Sequence, residues 1–219
     1  MKKLSVIVTT YNRPKLGARI ADALRSQRDV EVEFVAMDDG SDPFYDLKPD
    51  VQVRREDDGY HHLWCINEGL QAASNSLVVF LDDDTVPQGI RWAVEHLRVL
   101  EECDASRGPF AMVLYDGPRL LWSSPIMYGR IGTHFTTTNV GFRKELLMGL
   151  GGMDLSFDGH YGFGDLDLWL RMEDAGMTVG YAGNDAFALH LGKPNGGDPS
   201  RNRELLARRW GDRVKEVAG

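Results

Sequence analysis

The chain of 219 residues is long enough for one large domain or two small ones, since domains commonly contain about 100 to 200 residues. Its composition, with 42% hydrophobic and 26% charged residues, excludes a disordered chain, a collagen-like repeat and a small disulfide-rich scaffold. The 33 acidic residues outnumber the 25 lysines and arginines and leave a net charge of -8, so we expect no nucleic-acid partner.

The cysteines and the apolar runs indicate a reducing compartment. Cys65 and Cys103 lie far apart and show no CxxC spacing, so we expect two free thiols and no zinc site. The apolar run over 4–8 is too short for a signal peptide, and no later stretch approaches the roughly 18 to 20 apolar residues that cross a bilayer. We therefore expect a cytoplasmic protein without a membrane span.

The first hundred residues alternate between two kinds of pattern. Apolar runs rich in β-branched residues predict four strands, over 4–8, 30–37, 51–55 and 77–81. Apolar residues at helical spacing predict three helices, over 14–27, 63–74 and 89–102. This alternation predicts a mostly parallel sheet covered by helices.

From residue 110 the pattern changes. Short apolar pieces broken by turn residues predict sheet and irregular loop over 110–143. Further helices are predicted over 144–150, 165–175 and 201–217, and further strands over 177–181 and 186–189. The 192–200 loop has the composition of a lid that closes over a diphosphate, with a plain surface loop as an equal alternative. Since no internal repeat or long linker occurs, we expect a single α/β domain.

Polar residues follow three of the predicted strands. In an open α/β sheet, ligands bind outside the carboxyl ends of the strands, and these ends carry residues 9–14, 38–41 and 82–84. Three adjacent acids repel one another unless a cation lies among them, so Asp82, Asp83 and Asp84 predict a divalent metal. For the 38–41 loop, a solvated turn is an equal alternative.

These segments, taken in order, resemble the family 2 glycosyltransferases of the GT-A fold. The segments that carry the resemblance are 4–14, 37–41, 59–69, 80–84, 139–143, 151–154, 164–168 and His190. The resemblance implies one GT-A domain whose Rossmann-like, nucleotide-binding half, 1–103, has a mixed, mostly parallel central sheet flanked by helices. This half would be continuous with an acceptor-binding half, 104–191, followed by a flexible loop and C-terminal helix over 192–219.

The resemblance also implies a nucleotide-sugar donor and a divalent cation as ligands. A nucleotide-sugar donor, with a UDP-sugar favoured, would be held by Thr9, Tyr11, Arg13, Asp39, Asn67, Asp82 and Asp83. Asp84 would ligate Mn2+ or Mg2+ directly, Asp82 would lie near the ribose or the metal, and His190 would be either a third ligand or a structural residue. The cation would bridge the diphosphate and neutralise the leaving group.

Asp165 is the general base that the resemblance implies. It would take a proton from the hydroxyl of a carbohydrate or other acceptor while that oxygen attacks the anomeric carbon, which inverts the anomeric centre. Asp167 is expected to be structural or to support the base, and a helix N-cap is the alternative role for Asp165. The aromatic candidates for stacking on an acceptor sugar are Trp122, Tyr128, His134 and Tyr161.

The chain departs from the family pattern in two places. Residues 61–66 read His-His-Leu-Trp-Cys-Ile, where the family usually shows a basic residue and small residues, so contacts to the donor sugar are not implied. The QxxRW-type motif of processive members is absent, although 208–210 share part of it.

Two other functions fit some of the same residues. The acids at 82 and 84 also match the nucleophile and the acid–base of haloacid-dehalogenase-type phosphatases, but that motif normally follows the first strand of its domain. A catalytically silent module that binds a sugar-nucleotide or a glycan is the third hypothesis, and the acids at 82, 84 and 165 argue against it.

Overall fold

Two sheets organise the residues that this computed structural model describes, namely 2–56, 59–116, 119–124, 126, 136–191 and 197–214. The strands are β1 (Lys2–Thr10), β2 (Val30–Asp38), β3 (Val51–Arg54), β4 (Leu77–Asp82), β5 (Thr85–Pro87), β6 (Ala105–Arg107), β7 (Phe110–Asp116), β8 (Arg119–Ser123), β9 (Val140–Arg143), β10 (Val179–Tyr181) and β11 (Ala188–His190). The α-helices are α1 (Pro14–Arg25), α2 (His62–Ala72), α3 (Trp92–Leu100), α4 (Lys144–Gly149), α5 (Gly164–Asp174) and α6 (Ser200–Trp210).

The larger sheet has seven strands in the order β10-β6-β9-β4-β1-β2-β3. Strand β1 pairs in parallel with both β2 and β4, and β2 pairs in parallel with β3. Strand β9 runs antiparallel between β4 and β6. The predicted α/β class with a mixed, mostly parallel central sheet is therefore confirmed, and strands from both predicted halves of the chain share this sheet.

Strand β1 shows why its sequence is a continuous apolar run. Val6 and Val8 pack in one hydrophobic cluster, together with residues of α1 and α3. Ile7 points to the other face and packs in a second cluster, together with residues of α2. Because helices cover both faces, a central parallel strand has no solvent-facing side and needs no polar alternation.

Two predicted helix boundaries differ from the structure by three residues or more, and a glycine with a positive φ lies at each. Helix α3 begins at Trp92 instead of residue 89, because Gly89 has a φ of +81° and an α-helix cannot pass through the left-handed region. The helix predicted to continue to residue 217 is interrupted after Trp210, where Gly211 has a φ of +55°; residues 213–214 are helical again, and 215–217 lie outside the described residues. No helix in the described ranges is both long and apolar enough to cross a membrane.

The smaller sheet has the strand order β5-β11-β7-β8. Strand β11 pairs antiparallel with β5 and parallel with β7. In this register His190 lies opposite Thr85, directly beside the end of β4. The sequence patterns did not predict β5 or β6, since each has three residues and shows no periodicity. The smaller sheet thus carries the distant His190 back to the acids at 82–84.

Candidate functional site

A cleft of about 640 Å³ lies at the carboxyl ends of β1, β2 and β4. This is where an open α/β sheet binds its ligands. Both halves of the chain line the cleft, the second through Met112, the 160–162 loop and residues near the start of α5. The structure brings nine of the predicted site residues together here: Thr9, Tyr11, Arg13, Asp39, Asp82, Asp83, Asp84, Asp165 and His190.

Asp83 ties the loop after β1 to the end of β4. Its Oδ1 accepts a hydrogen bond from Arg13 Nη1 at 3.0 Å, and its Oδ2 accepts one from the backbone N–H of Tyr11 at 2.8 Å. Burial raises the pKa of Asp83 to about 7, although the Arg13 charge opposes this effect. Both oxygens are thus occupied by protein groups that shape the cleft wall.

Asp82, Asp84 and His190 form a possible metal site. Each offers one ligand atom, and these atoms lie within 4.8 Å of one another. His190 Nε2 lies 3.1 Å from Asp84 Oδ1, and Arg13 Nη1 donates a hydrogen bond to Asp84 Oδ2. Although burial disfavours the charged form, the contacts with His190 and Arg13 lower the pKa of Asp84. Two carboxylates and one imidazole are a donor set that suits Mn2+, so these residues fit the predicted cation.

Asp39 lies buried directly after β2 and lines the same cleft. Its Oδ2 accepts a hydrogen bond from the backbone N–H of His61 at 2.9 Å. Its Oδ1 is buried and has no hydrogen-bond partner among the described residues. Burial raises the pKa of this carboxyl, despite the hydrogen bond from His61. A buried acceptor without a partner lowers the stability of the fold, so Asp39 Oδ1 can gain a hydrogen bond from an N–H or O–H group of a ligand.

Asp165 lies in the first turn of α5, where the helix faces the cleft. Thr137 Oγ1 donates a hydrogen bond to Asp165 Oδ1 at 2.9 Å. Burial raises the pKa of Asp165 to about 6, and the nearby charge of Asp82 adds to this shift, while His62 opposes it. The N-cap of α5 is Phe163, two residues before Asp165, so Asp165 does not occupy the capping position. A carboxylate with this pKa is ionised at neutral pH and remains basic enough to accept a proton.

Two further acids of the second half of the chain, Asp167 and Asp158, hold hydrogen bonds within the fold. Asp167 is fully buried and accepts hydrogen bonds from Arg171 Nε, Arg209 Nη1 and Trp210 Nε1, at 2.8, 2.8 and 3.0 Å. Asp158 accepts a hydrogen bond from the backbone N–H of Leu63 at 3.1 Å, at the start of α2. Both carboxylates therefore join segments of the fold.

Asn67 is the predicted donor-binding residue that does not line the cleft. Its Nδ2 donates to the carbonyl of Met153 at 2.9 Å, and its Oδ1 accepts from the N–H of Met153 at 2.8 Å. This pair of bonds holds α2 against the turn that precedes residue 154. Among the aromatic candidates, Tyr161 lines the cleft, whereas Tyr128, His134 and the side chain of Trp122 lie outside the described residues, as do 192–196 of the predicted lid.

Among the cleft residues that were not singled out from the sequence, two lie close to the candidate acids. His62 begins α2, and its Nε2 lies 3.6 Å from Asp82 Oδ1. The His61–His62 pair was visible as a departure from the family pattern, but the pattern did not indicate which histidine faces the acids. Thr137 belongs to the 110–143 range, in which the sequence predicts sheet and irregular loop, and no periodicity or motif spacing marks it.

Comparisons with known proteins agree with this architecture. Residues 5–148, more than half of the chain, match the family model "Glycosyl transferase family 2". The chain is 32% identical over 106 residues to the chondroitin synthase of Escherichia coli, covering 44% of this chain and 15% of that protein. It is 33% identical over 110 residues to the hyaluronan synthase of Pasteurella multocida, covering 46% of this chain and 11% of that protein. The chain thus spans a small part of the length of these relatives.

A solved structure shows the same fold. It is the crystal structure of S. aureus TarS, residues 1–349, in complex with UDP-GlcNAc, which superposes with a TM-score of 0.66 at 17% sequence identity. The match covers 89% of this chain and 60% of that one. With the sheet order and the family match, it confirms the predicted GT-A architecture. The chain belongs to glycosyl transferase family 2.

Proposed function

We propose that this chain transfers a sugar from a UDP-sugar to the hydroxyl of a carbohydrate or other acceptor, with inversion at the anomeric carbon. One observation carries the proposal: a metal-type cluster and a separate carboxylate with a raised pKa face the same cleft. The cluster suits the diphosphate of a donor, and the separate carboxylate suits the acceptor. Membership of glycosyl transferase family 2 supports this assignment and contradicts the phosphohydrolase alternative.

Residues of the first half, 1–103, would hold the nucleotide. The buried Oδ1 of Asp39 is an acceptor without a partner among the described residues, and the imide N–H of uracil is a matching donor. Tyr11, 47% exposed, lines the same cleft and would offer an aromatic face to the uracil ring. Thr9 would offer a hydroxyl. The complex of TarS with UDP-GlcNAc supports a uridine nucleotide.

Asp82, Asp84 and His190 would hold Mn2+ or Mg2+, a Lewis acid that stabilises the negative charge of a departing diphosphate. Arg13 places a second positive charge at the same end of the cleft, where it is hydrogen-bonded to Asp83 and Asp84. Without positive charge, the acids at 82–84 would repel a diphosphate. Binding of the donor should therefore depend on a divalent cation.

Asp165 would be the general base, in the acceptor-binding half over 104–191. Its carboxylate would accept the proton of the acceptor hydroxyl while the acceptor oxygen attacks the anomeric carbon from the face opposite the diphosphate. A single displacement of this kind inverts the anomeric centre. Tyr161, 38% exposed at the cleft, would be a candidate to stack on the acceptor sugar.

An assay of UDP release tests the proposal. The protein is incubated with Mn2+ and a panel of UDP-sugars. Water and then a mixture of oligosaccharides serve as the acceptor, and the products are identified by mass spectrometry. We expect UDP release with at least one donor, and loss of release in EDTA. A silent binding module would bind UDP-sugars without releasing UDP, and that result would contradict the proposal.

A further inference from the structure

Two adjacent threonines connect the candidate metal site to the candidate base. Thr138 Oγ1 accepts a hydrogen bond from the backbone N–H of Asp82 at 3.0 Å. Thr137 Oγ1 donates a hydrogen bond to Asp165 Oδ1 at 2.9 Å. Both threonine side chains are buried, with 2% of each residue exposed. One short segment therefore contacts the end of β4 on one side and the first turn of α5 on the other.

The following residue, Asn139, anchors this segment. Its backbone N–H donates to the carbonyl of Phe80, and its side-chain Nδ2 donates to the carbonyls of Pro109 and Ala186 at 3.0 and 3.1 Å. Its Oδ1 accepts a hydrogen bond from Trp92 Nε1 at 2.8 Å. Asn139 is fully buried and has a backbone φ of +59°. Its hydrogen bonds therefore hold the backbone of this segment, and with it the two preceding threonines, in one conformation.

We propose that Thr137 is a positioning residue for Asp165. Its hydroxyl holds Oδ1 in place, so that the carboxylate is presented to the acceptor in one orientation and Oδ2 takes the proton. This inference rests on the proposed role of Asp165 as a base. It adds a residue that no motif contains and that acts through Asp165 rather than on the substrate.

The hydroxyl of Thr137 also contributes to the charge balance at the base. Charged or titratable groups face Asp165 from four directions: His62 on α2, Asp82 on β4, Arg107 on β6 and Tyr60 in the loop before α2. A hydrogen bond donated to a carboxylate stabilises the ionised form. The backbone N–H of Thr137 acts in the same direction and is kept in any side-chain variant. Loss of the hydroxyl alone should therefore make Asp165 harder to ionise.

Three variants separate positioning from packing. Thr137→Val removes the hydroxyl and keeps the volume, whereas Thr137→Ser keeps the hydroxyl. The matched control is Thr178→Val, because Thr178 Oγ1 donates a similar hydrogen bond to Asp104 Oδ2 at 2.8 Å, away from the cleft. Titration of the Asp165 carboxyl carbon is followed by 13C NMR with MgCl2 and UDP present, and the pH profile of UDP release is measured with Mn2+.

We expect Thr137→Val to raise the pKa of Asp165 by about one unit, and Thr137→Ser to restore it. The loss of UDP release should then be greater below the pKa of Asp165 than above it, because the ionised fraction of the variant is reduced mainly in that range. Thr178→Val should change neither quantity.

Two results would overturn the inference. One is a Thr137→Val protein whose Asp165 titrates as in the wild type. The other is an equal loss of release at all pH values that Thr137→Ser shares, which would indicate packing alone. If the wild-type protein releases no UDP, the proposed function fails, while the NMR titration still decides whether Thr137 governs the Asp165 carboxyl.

Discussion

Helix α5 carries two acids two residues apart that lie in opposite surroundings. Asp167 is fully buried, and two arginines and a tryptophan donate hydrogen bonds to it. Asp165 faces the cleft, accepts a hydrogen bond from the neutral hydroxyl of Thr137, and is destabilised as an anion by burial and by Asp82. The compensation of charge, rather than the depth of burial, thus distinguishes a carboxylate that holds the fold from one available for chemistry.

The largest expected effect comes from Asp165→Asn. The amide keeps the shape of the side chain but cannot take a proton, so UDP release with the true acceptor should fall by about 10²- to 10⁴-fold. Affinity for UDP with Mn2+, measured by calorimetry, should barely change. Wild-type turnover in this variant would show that Asp165 is not the base. The alternative role of Asp165 as the N-cap of α5 does not hold, because Phe163 occupies that position.

The same substitution at Asp167 should affect stability instead. Asp167→Asn removes the charge that compensates Arg171 and Arg209, so the free energy of unfolding should fall by about 2 to 4 kcal/mol. Urea unfolding followed by tryptophan fluorescence measures this loss. Asp174→Asn is the control on the same helix, since the ion pair of Asp174 with Arg213 is exposed and should contribute below about 1 kcal/mol. Equal losses of stability in the two variants would contradict the proposal that the buried charge of Asp167 stabilises the fold.

A smaller effect of opposite sign is expected for the stability of Asp165→Asn. Folding raises the pKa of Asp165 from 3.8 to about 6, so the stability that its proton supplies is present below about pH 4 and is lost as the pH rises through 6. Asparagine resembles the protonated form. The variant should therefore gain about 2 to 3 kcal/mol over the wild type at pH 7 and only about 0.5 kcal/mol at pH 4, measured by urea unfolding at both values. A difference that does not depend on pH would contradict this explanation.

Much of the first half was predictable because its physical signals are local. Strands β1, β2 and β4 are apolar runs that end in polar residues, and the topology of a parallel sheet brings those ends together. The short strands β5 and β6 carry no such signal. His190 reaches the acids only through the pairing of β11 with β5, which a sequence pattern does not contain.

The surroundings of the base were harder to predict than the base itself. Asp165 belongs to a motif, but its pKa depends on the charges of His62 and Asp82 and on the hydrogen bond from Thr137, which come from three other parts of the chain. Asn67 shows the converse case, because it belongs to a motif and yet both ends of its amide hold the backbone of Met153. Motif membership therefore indicates which residues matter, and only the contacts indicate how.

We propose that the acids at the end of β4 bind a nucleoside diphosphate through a divalent cation. Calorimetric titration of the wild-type protein with UDP, in Mn2+ and in EDTA, measures whether binding needs the cation. We predict that EDTA weakens binding by about tenfold or more, because the acids and the diphosphate then repel one another. Asp84→Asn, which removes a proposed ligand, should reduce this dependence on Mn2+. Equal affinity of the wild-type protein for UDP in Mn2+ and in EDTA would contradict the claim.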